Sequence, residues 1–393
     1  MTTALTLVAT TAMGLEALAA HELRALGYAD AKAENGRVVF SGDWTAVART
    51  NTWLRTAERV LIKLGEFPAR TFDDLFDQTK ALPWEEFLPE DAFIHVEGKS
   101  HQSQLSSVPA AQGVVKKAII EALKRRYKRE RFMESGARYG ILIDLRKDVA
   151  TLTLDTTGTG LHKRGYRKLT APAPLRETLA ASLVILSRWH PDRTLVDPLC
   201  GSGTIPIEAG LIARNIAPGL GRDFDSSKWE VIPSKVWSET KREAEDLIRR
   251  DVEIRGLYGS DISAEVLSTA RYHAKLAGLE DVIHFEKKAV QDFATKKKYG
   301  YVITNPPYGE RLGDKPEVDQ LYRDMGQVFK PLETWSFFIL TPHPDFERLF
   351  DRVAHKKRKL YNGNIRCDLY QYFGPRPPKE EAAADLGVAP GDV

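Results

Sequence analysis

Cysteine is nearly missing from this chain: Cys200 and Cys367 are the only two in 393 residues. Neither stands in a CxxC or Cys/His spacing that would assemble zinc, so a reduced compartment and no structural metal are expected, and a disulfide-stapled fold is excluded. Net charge is small as well, 57 Lys and Arg against 54 Asp and Glu giving +3. Any nucleic-acid surface must therefore come from local clustering. No apolar run approaches a membrane span, and the N-terminus lacks a basic stretch followed by a sustained apolar core. Neither a span nor a signal peptide is expected, and the chain reads as cytoplasmic. What remains is ordinary globular composition, 42% hydrophobic and 28% charged, long enough for two or three domains.

The stretch that carries most chemistry is Asn305-Pro306-Pro307-Tyr308, which closes an apolar run from Tyr299 to Thr304. The run reads as a buried strand ending in a polar loop, where a parallel α/β sheet places its chemistry. Two prolines fix φ and hold the backbone extended after Asn305. The Asn305 amide oxygen and the Pro306 carbonyl form an acceptor pair suited to a planar exocyclic amine, and Tyr308 offers a ring on which a flipped base can stack. That pattern suits amino-group methylation of a nucleobase, adenine as readily as guanine. The alternative at this point is a plain strand followed by a Pro-Pro turn.

In chain order, Ala4 to Ala9 alternates as a strand, Leu15 to Leu26 carries helical periodicity closed by Gly27, and Arg37 to Phe40 follows an Asn35-Gly36 turn. Strands at Arg59 to Phe67, Ala92 to Gly98, Tyr139 to Leu145 and Val149 to Asp155 are expected, with a helix from Phe72 to Leu82. A second helix, Val114 to Arg131, carries Lys116, Lys117, Lys124, Arg125, Arg126, Lys128, Arg129 and Arg131 against only Glu121 and Glu130. Its basic side reads either as a stripe for RNA phosphates or as a solvated helix end matched to the helix dipole. Lys163, Arg164 and Arg167 form a second basic patch around Tyr166, before a Pro-bearing segment from Thr170 to Pro174. A third cluster, Lys356 to Lys359, reads equally as RNA contact or as protection of an edge strand.

Further on, Thr194 to Asp197 is a short buried strand that delivers Pro198-Leu199-Cys200-Gly201-Ser202-Gly203-Thr204 before a helix from Ile205 to about Asn215. Gly201 and Gly203 let the backbone bend and approach a ligand, and Asp197 can accept hydrogen bonds from an amine-bearing cofactor. The turn lacks the lysine of a P-loop, which argues against a nucleoside triphosphate. Asp261 ends the next strand roughly sixty residues beyond the glycine turn, instead of about 20 as in a dinucleotide fold. A long insertion with a charged helix from Ser234 to Arg255 fills the interval. Asp261 is the candidate acceptor for ribose hydroxyls and Asp292 for an adenine amine. The C-terminal strands Lys356 to Tyr361 and Ile365 to Phe373 flank Asn362-Gly363, a strong hairpin signal.

Leu161 to Arg167 and these catalytic motifs together resemble the THUMP-bearing class I methyltransferases that methylate guanine N2 in 23S rRNA, a resemblance covering nearly the whole chain. It implies an α/β fold: a Rossmann-like methyltransferase domain, seven-stranded with a terminal antiparallel hairpin, preceded by an α+β ferredoxin-like/THUMP half that binds RNA. The expected division is a ferredoxin-like piece over 1–55, a THUMP-like domain over 56–160, a linker over 161–174, the catalytic domain over 175–374 and a disordered tail over 375–393. S-adenosylmethionine is the implied cofactor, held by Asp197, Cys200, Gly201, Gly203, Thr204, Asp261, Ile262, Asp292 and Asn305, with Asn305 to Tyr308 catalytic and RNA, rRNA before tRNA, as partner. Two other classes compete. A DNA or protein amino-group methyltransferase does not need the N-terminal half, and a catalytically silent RNA-binding protein need not keep Asp197, Gly201, Asp261 and Asn305 together.

Overall fold

In the computed structural model, residues 4–169, 175–308 and 315–378 are described. The linker segment 170–174 and the tail from residue 379 lie outside them. The chain forms two compact units, Met1–Arg164 with Ala217–Ile248, and Gly165–Ile216 with Arg249–Val393.

In the first unit, β1 (Leu5–Thr11) is followed by α1 (Glu16–Ala25), β2 (Lys32–Glu34) and β3 (Arg37–Gly42). Gly27 after the helix and Gly36 in the turn both hold positive φ, as their positions require. Next comes α2 (Trp44–Trp53), a helix that propensity hides because its Thr and Asn residues are poor helix formers. It starts on Asp43, whose carboxylate accepts from the Ala46 amide at 2.9 Å. Then follow β4 (Ala57–Pro68), α3 (Phe72–Lys80) with a Thr71/Asp74 capping box, β5 (Phe93–His101), α4 (Val108–Tyr127), β6 (Arg138–Arg146) and β7 (Val149–Asp155). Their seven strands form one sheet in the order β2-β3-β1-β4-β7-β6-β5. Strand β4 pairs with β1 on one side and β7 on the other, so the ferredoxin-like and THUMP-like segments share a single sheet.

The second unit starts with α5 (Glu177–Ser187), β8 (Leu195–Asp197) and α6 (Thr204–Ala213). The chain then leaves it for residues 217–248, which carry α7 (Ser234–Asp246). This segment falls within the span expected for the catalytic domain, yet it packs into the first unit. Trp229 stacks on Tyr139 with centroids 4.7 Å apart, and its Nε1 donates to the Arg138 carbonyl at 2.9 Å. Ala217 and Ala244 pack with Trp53, beside an Arg49–Glu243 ion pair of 3.0 Å. Helix α7 stops well short of the expected Arg255, because the chain must return: the Arg249 amide donates to the Arg214 carbonyl at 2.8 Å.

The second unit continues with β9 (Leu257–Asp261), α8 (Ala264–Leu276), β10 (Ile283–Lys287), β11 (Tyr301–Thr304), α9 (Lys315–Phe329), β12 (Ser336–Thr341), α10 (Phe346–Leu349), β13 (Lys356–Asn362) and β14 (Ile365–Tyr372). Its sheet runs β10-β9-β8-β11-β12-β14-β13, with the first five strands parallel and β14 antiparallel to both neighbours. Asn362 pairs with Ile365, so the hairpin turns on Gly363-Asn364, one residue beyond the expected dipeptide, with Gly363 at φ +62°. Among the described residues no helix is long and apolar enough to cross a membrane.

Candidate active site

The strand order reverses between β8 and β11, and the loops leaving the carboxyl ends of β8, β9 and β11 meet there. After β8, Gly201 stands at φ +52° and Gly203 at φ +78°. A Cβ on Gly203 would lie 2.9 Å from the Phe285 ring, whereas one on Gly201 would meet nothing within 4 Å. Gly203 is thus required for packing, and Gly201 leaves its backbone open toward the space above the turn. Asp261 ties the two loops together: one carboxylate oxygen accepts from the Gly201 amide at 3.1 Å and the other from the Ser263 amide at 3.0 Å. Each oxygen keeps a lone pair for a ligand hydroxyl.

Asp197 is buried, with 2% of its surface exposed. Its Oδ1 accepts from the Thr304 hydroxyl at 2.7 Å and the Leu199 amide at 3.2 Å. Burial pushes its pKa up to about 7, opposed by those two hydrogen bonds and reinforced by the nearby Asp261 charge. Burial also raises the Cys200 thiol, with Asp197 and Asp261 adding to it, so Cys200 stays a thiol and is no nucleophile. Asn305 follows Thr304 directly. Its Oδ1 is buried and finds no hydrogen-bond partner among the described residues. An orphan acceptor of this kind costs about 1–3 kcal/mol unless a ligand supplies the donor.

The structure therefore joins Asp197, Gly201, Asp261 and Asn305 into one connected set at the ends of β8, β9 and β11. Thr204 opens α6 and is buried, Ile262 stands 67% exposed beside Asp261, and exposed Asp292 closes a short 3₁₀ turn after β10. Pro306 is buried and Pro307 half-buried.

Three expectations need correction. Tyr308 does not present an open ring: it is only 7% exposed, and its hydroxyl accepts from Asn362 Nδ2 at 2.6 Å. The hairpin covers it, which no local pattern reveals. Arg164, expected on RNA, is buried and donates to the carbonyls of Leu161 and Arg55. Arg167 is largely enclosed, donating to the Leu175 carbonyl at 3.0 Å and to Thr204 Oγ1 at 2.6 Å. The segment expected as a linker is thus packed by its own basic residues, while Lys163 remains exposed. The residues missed were Thr304 and Asn362. Thr304 was visible as the one polar position ending an apolar run. Asn362 was hidden, because its role depends on the β13–β14 register.

Along α4, Lys116 pairs with Glu134 at 2.7 Å, Lys124 with Glu121 at 3.1 Å, and Arg129, beyond the helix end, with Glu90 at 3.2 Å. Lys117 lies 5.8 Å from the Phe76 ring centroid. Arg125, Arg126 and Lys128 are exposed and carry no ion pair among the described residues.

Five parallel strands, a reversed terminal hairpin and a glycine turn tied to an acid on the next strand define a class I methyltransferase. Residues 164–371 match the family described as "RMKL-like, methyltransferase domain", residues 6–61 an "RlmL ferredoxin-like domain" and residues 69–155 a "THUMP domain". The chain is 49% identical to Bacillus subtilis "Putative RNA methyltransferase YpsC", over 96% of this chain and 98% of that protein. Among solved structures it is similar to "SMU.472, a putative methyltransferase complexed with SAH" (46% identity, TM-score 0.92, 96% and 100% covered). It is similar also to a "predicted N6-adenine-specific DNA methylase" from Listeria monocytogenes (52%, TM-score 0.90, 95% and 97%). The chain belongs to the UPF0020 family of S-adenosylmethionine-dependent methyltransferases and carries a THUMP domain.

Proposed function

We propose that this protein methylates the exocyclic N2 amine of a guanosine in RNA, most specifically in 23S rRNA. The observation that carries the reading is the Oδ1 of Asn305 at the end of β11, buried and without a hydrogen-bond partner among the described residues. A planar amine would satisfy it while the Asp197–Gly201–Asp261 set holds the cofactor. S-adenosylmethionine supplies a methyl group already activated on a sulfonium. The protein's own task is alignment: Asn305, with the Pro306 carbonyl, orients the amine and favours the positive charge that develops on nitrogen. Asp261 accepts from the ribose, and Asp197 as carboxylate accepts from the cofactor's amine. The THUMP match, the named Bacillus relative and the exposed cations at the end of α4 support RNA as the substrate class. The resemblance running through Leu161 to Arg167 supports guanine and rRNA over tRNA.

Adenine N6 is the second reading, favoured by the description of the Listeria structure. Incubating rRNA, tRNA and DNA with labelled S-adenosylmethionine and identifying the labelled nucleoside decides between them. N2-methylguanosine in rRNA is expected; N6-methyladenosine would replace the base assignment and keep the pocket. Asn305→Ala should leave cofactor affinity nearly intact while turnover falls about 10² to 10³-fold, the scale of losing one preorganised polar group. A fully active variant would remove Asn305 from the chemistry.

A further inference from the structure

Parallel strands in a doubly wound sheet are joined by crossovers that usually carry a helix over one face. Between β10 and β11 there is only the 3₁₀ turn Val290–Asp292. The β11–β12 half of that face is covered, with Val302, Phe337 and Ile339 packed against Val318, Tyr322 and Phe346 of α9 and α10. Under β8–β10 the same face opens into a cavity of about 310 Å³, lined by Tyr258, His284, Phe293, Trp335, Lys288 and Lys297. Tyr258 and His284 are the second residues of β9 and β10, and Trp335 directly precedes β12. Ser260, Phe285 and Glu286 also line it, so the cavity runs beneath β8–β10 along the strands, from their amino-terminal ends to Lys288.

Its chemistry is specific. Tyr258 and His284 stack with centroids 5.5 Å apart at 29°. Lys297 Nζ stands 4.5 Å from the Tyr258 centroid and 2.7 Å from its hydroxyl. Residues 286–298 hold Lys287, Lys288, Lys296, Lys297 and Lys298 against Glu286 and Asp292, and Glu286 is already engaged by Lys288 at 3.6 Å. An apolar helix from a protein partner would leave these lysines uncompensated. A phosphate-bearing ligand with a flat ring satisfies both halves, and the volume falls at the small end of ligand pockets, roughly 300–1,000 Å³, enough for one base and its sugar.

We propose that this cavity is a second RNA-contact site, taking one nucleotide of the substrate outside the target base. The base stacks at the Tyr258–His284 pair, and the adjoining phosphates meet Lys296, Lys297 and Lys298. The proposal rests on RNA being the substrate.

The test uses the full chain and rRNA carrying 4-thiouridine. Irradiation of the wild-type complex should crosslink RNA to the peptide containing Tyr258 or His284, mapped by mass spectrometry. Replacing Lys296, Lys297 and Lys298 together by alanine should raise the RNA Kd about tenfold and flatten its salt dependence, and His284→Ala should raise it about fivefold or more. S-adenosylmethionine affinity, unchanged in both, reports intact folding. If wild type binds and methylates RNA, but neither variant changes Kd and no crosslink falls here, the site is overturned and the substrate reading stands. If free GMP or AMP blocks the crosslink while RNA Kd is indifferent to the variants, the cavity serves a free nucleotide and the proposal also fails. If wild type neither binds nor methylates RNA, the substrate reading and this site fall together.

Discussion

Asp197 illustrates how much one residue's environment decides. Its folded pKa, raised to about 7 chiefly by burial, lies above the ordinary carboxylate value. Its contribution to the free protein's stability is therefore fully present below the unfolded carboxylate pKa and is lost as pH rises through 7. With Asp197 in its proposed role, cofactor binding runs the other way, since an amine-bearing ligand needs the carboxylate. Calorimetry on wild type should show the S-adenosylmethionine Kd rising about tenfold per pH unit below 7, and Asp197→Asn should bind weakly with no such slope. Unchanged affinity in a folded Asp197→Asn variant would remove Asp197 from the cofactor site. Asp261→Ala should raise the same Kd about 30-fold or more, through loss of roughly 2–4 kcal/mol of charged hydrogen bonding, and would also release the Gly201 amide. An unchanged Kd in a folded variant would dismiss that role. Asp197, Gly201, Gly203 and Asn305 were legible in the sequence because strand ends, positive φ and a Pro-Pro stop are local demands. The burial of Tyr308, Arg164 and Arg167 was not, because partners distant in sequence enclose them.

At the scale of elements, α4 shows what periodicity finds and where it slips. The apolar positions Val115, Ala118, Ile119 and Leu123, at helical spacing, are buried, whereas Val114 and Ala122 are half-buried. The helix begins at Val108, behind Ser107 as N-cap and with Pro109 in its first turn, and ends when Lys128 turns to φ +53°. A run of cations extended the reading to Arg131, although charge does not prolong a helix past a left-handed cap. Replacing Arg125, Arg126 and Lys128 together by alanine should weaken RNA binding and lower the slope of log Kd against log salt by about 2. Lys116→Ala and Arg129→Ala should do much less, because Glu134 and Glu90 already engage those charges. Equal effects from both sets, measured by anisotropy over a salt series, would show that the stripe does not act through its exposed end. The terminal hairpin was legible from Asn-Gly, and only its register had to come from pairing across β13 and β14.

At the scale of the molecule, the catalytic sheet was readable from the strand ends at Asp197, Asp261 and Thr304 and from the terminal hairpin, whereas the home of residues 217–248 was not. That placement depends on Trp229 meeting Tyr139 and Ala244 meeting Trp53, contacts that no spacing rule predicts. Trp229→Ala should destabilise the first unit by about 3–5 kcal/mol, the usual consequence of emptying a buried aromatic site. S-adenosylmethionine binding by the second unit, followed by calorimetry below the melting transition, should persist; its loss would show the segment to be part of the cofactor site. Because the detour starts and closes beside the Arg214–Arg249 hydrogen bond, the polypeptide passes between units three times, at 164/165, 216/217 and 248/249. On the ribosome this fixes an order of events. The N-terminal sheet emerges first but must wait for Trp229 and Trp237 before its core can close, and by then α5, β8 and α6 have already left the exit tunnel without their partner strands. A nascent chain arrested shortly after residue 164 should therefore remain protease-sensitive, and a separately expressed 1–164 half should gain protection only when the 165–393 half is supplied.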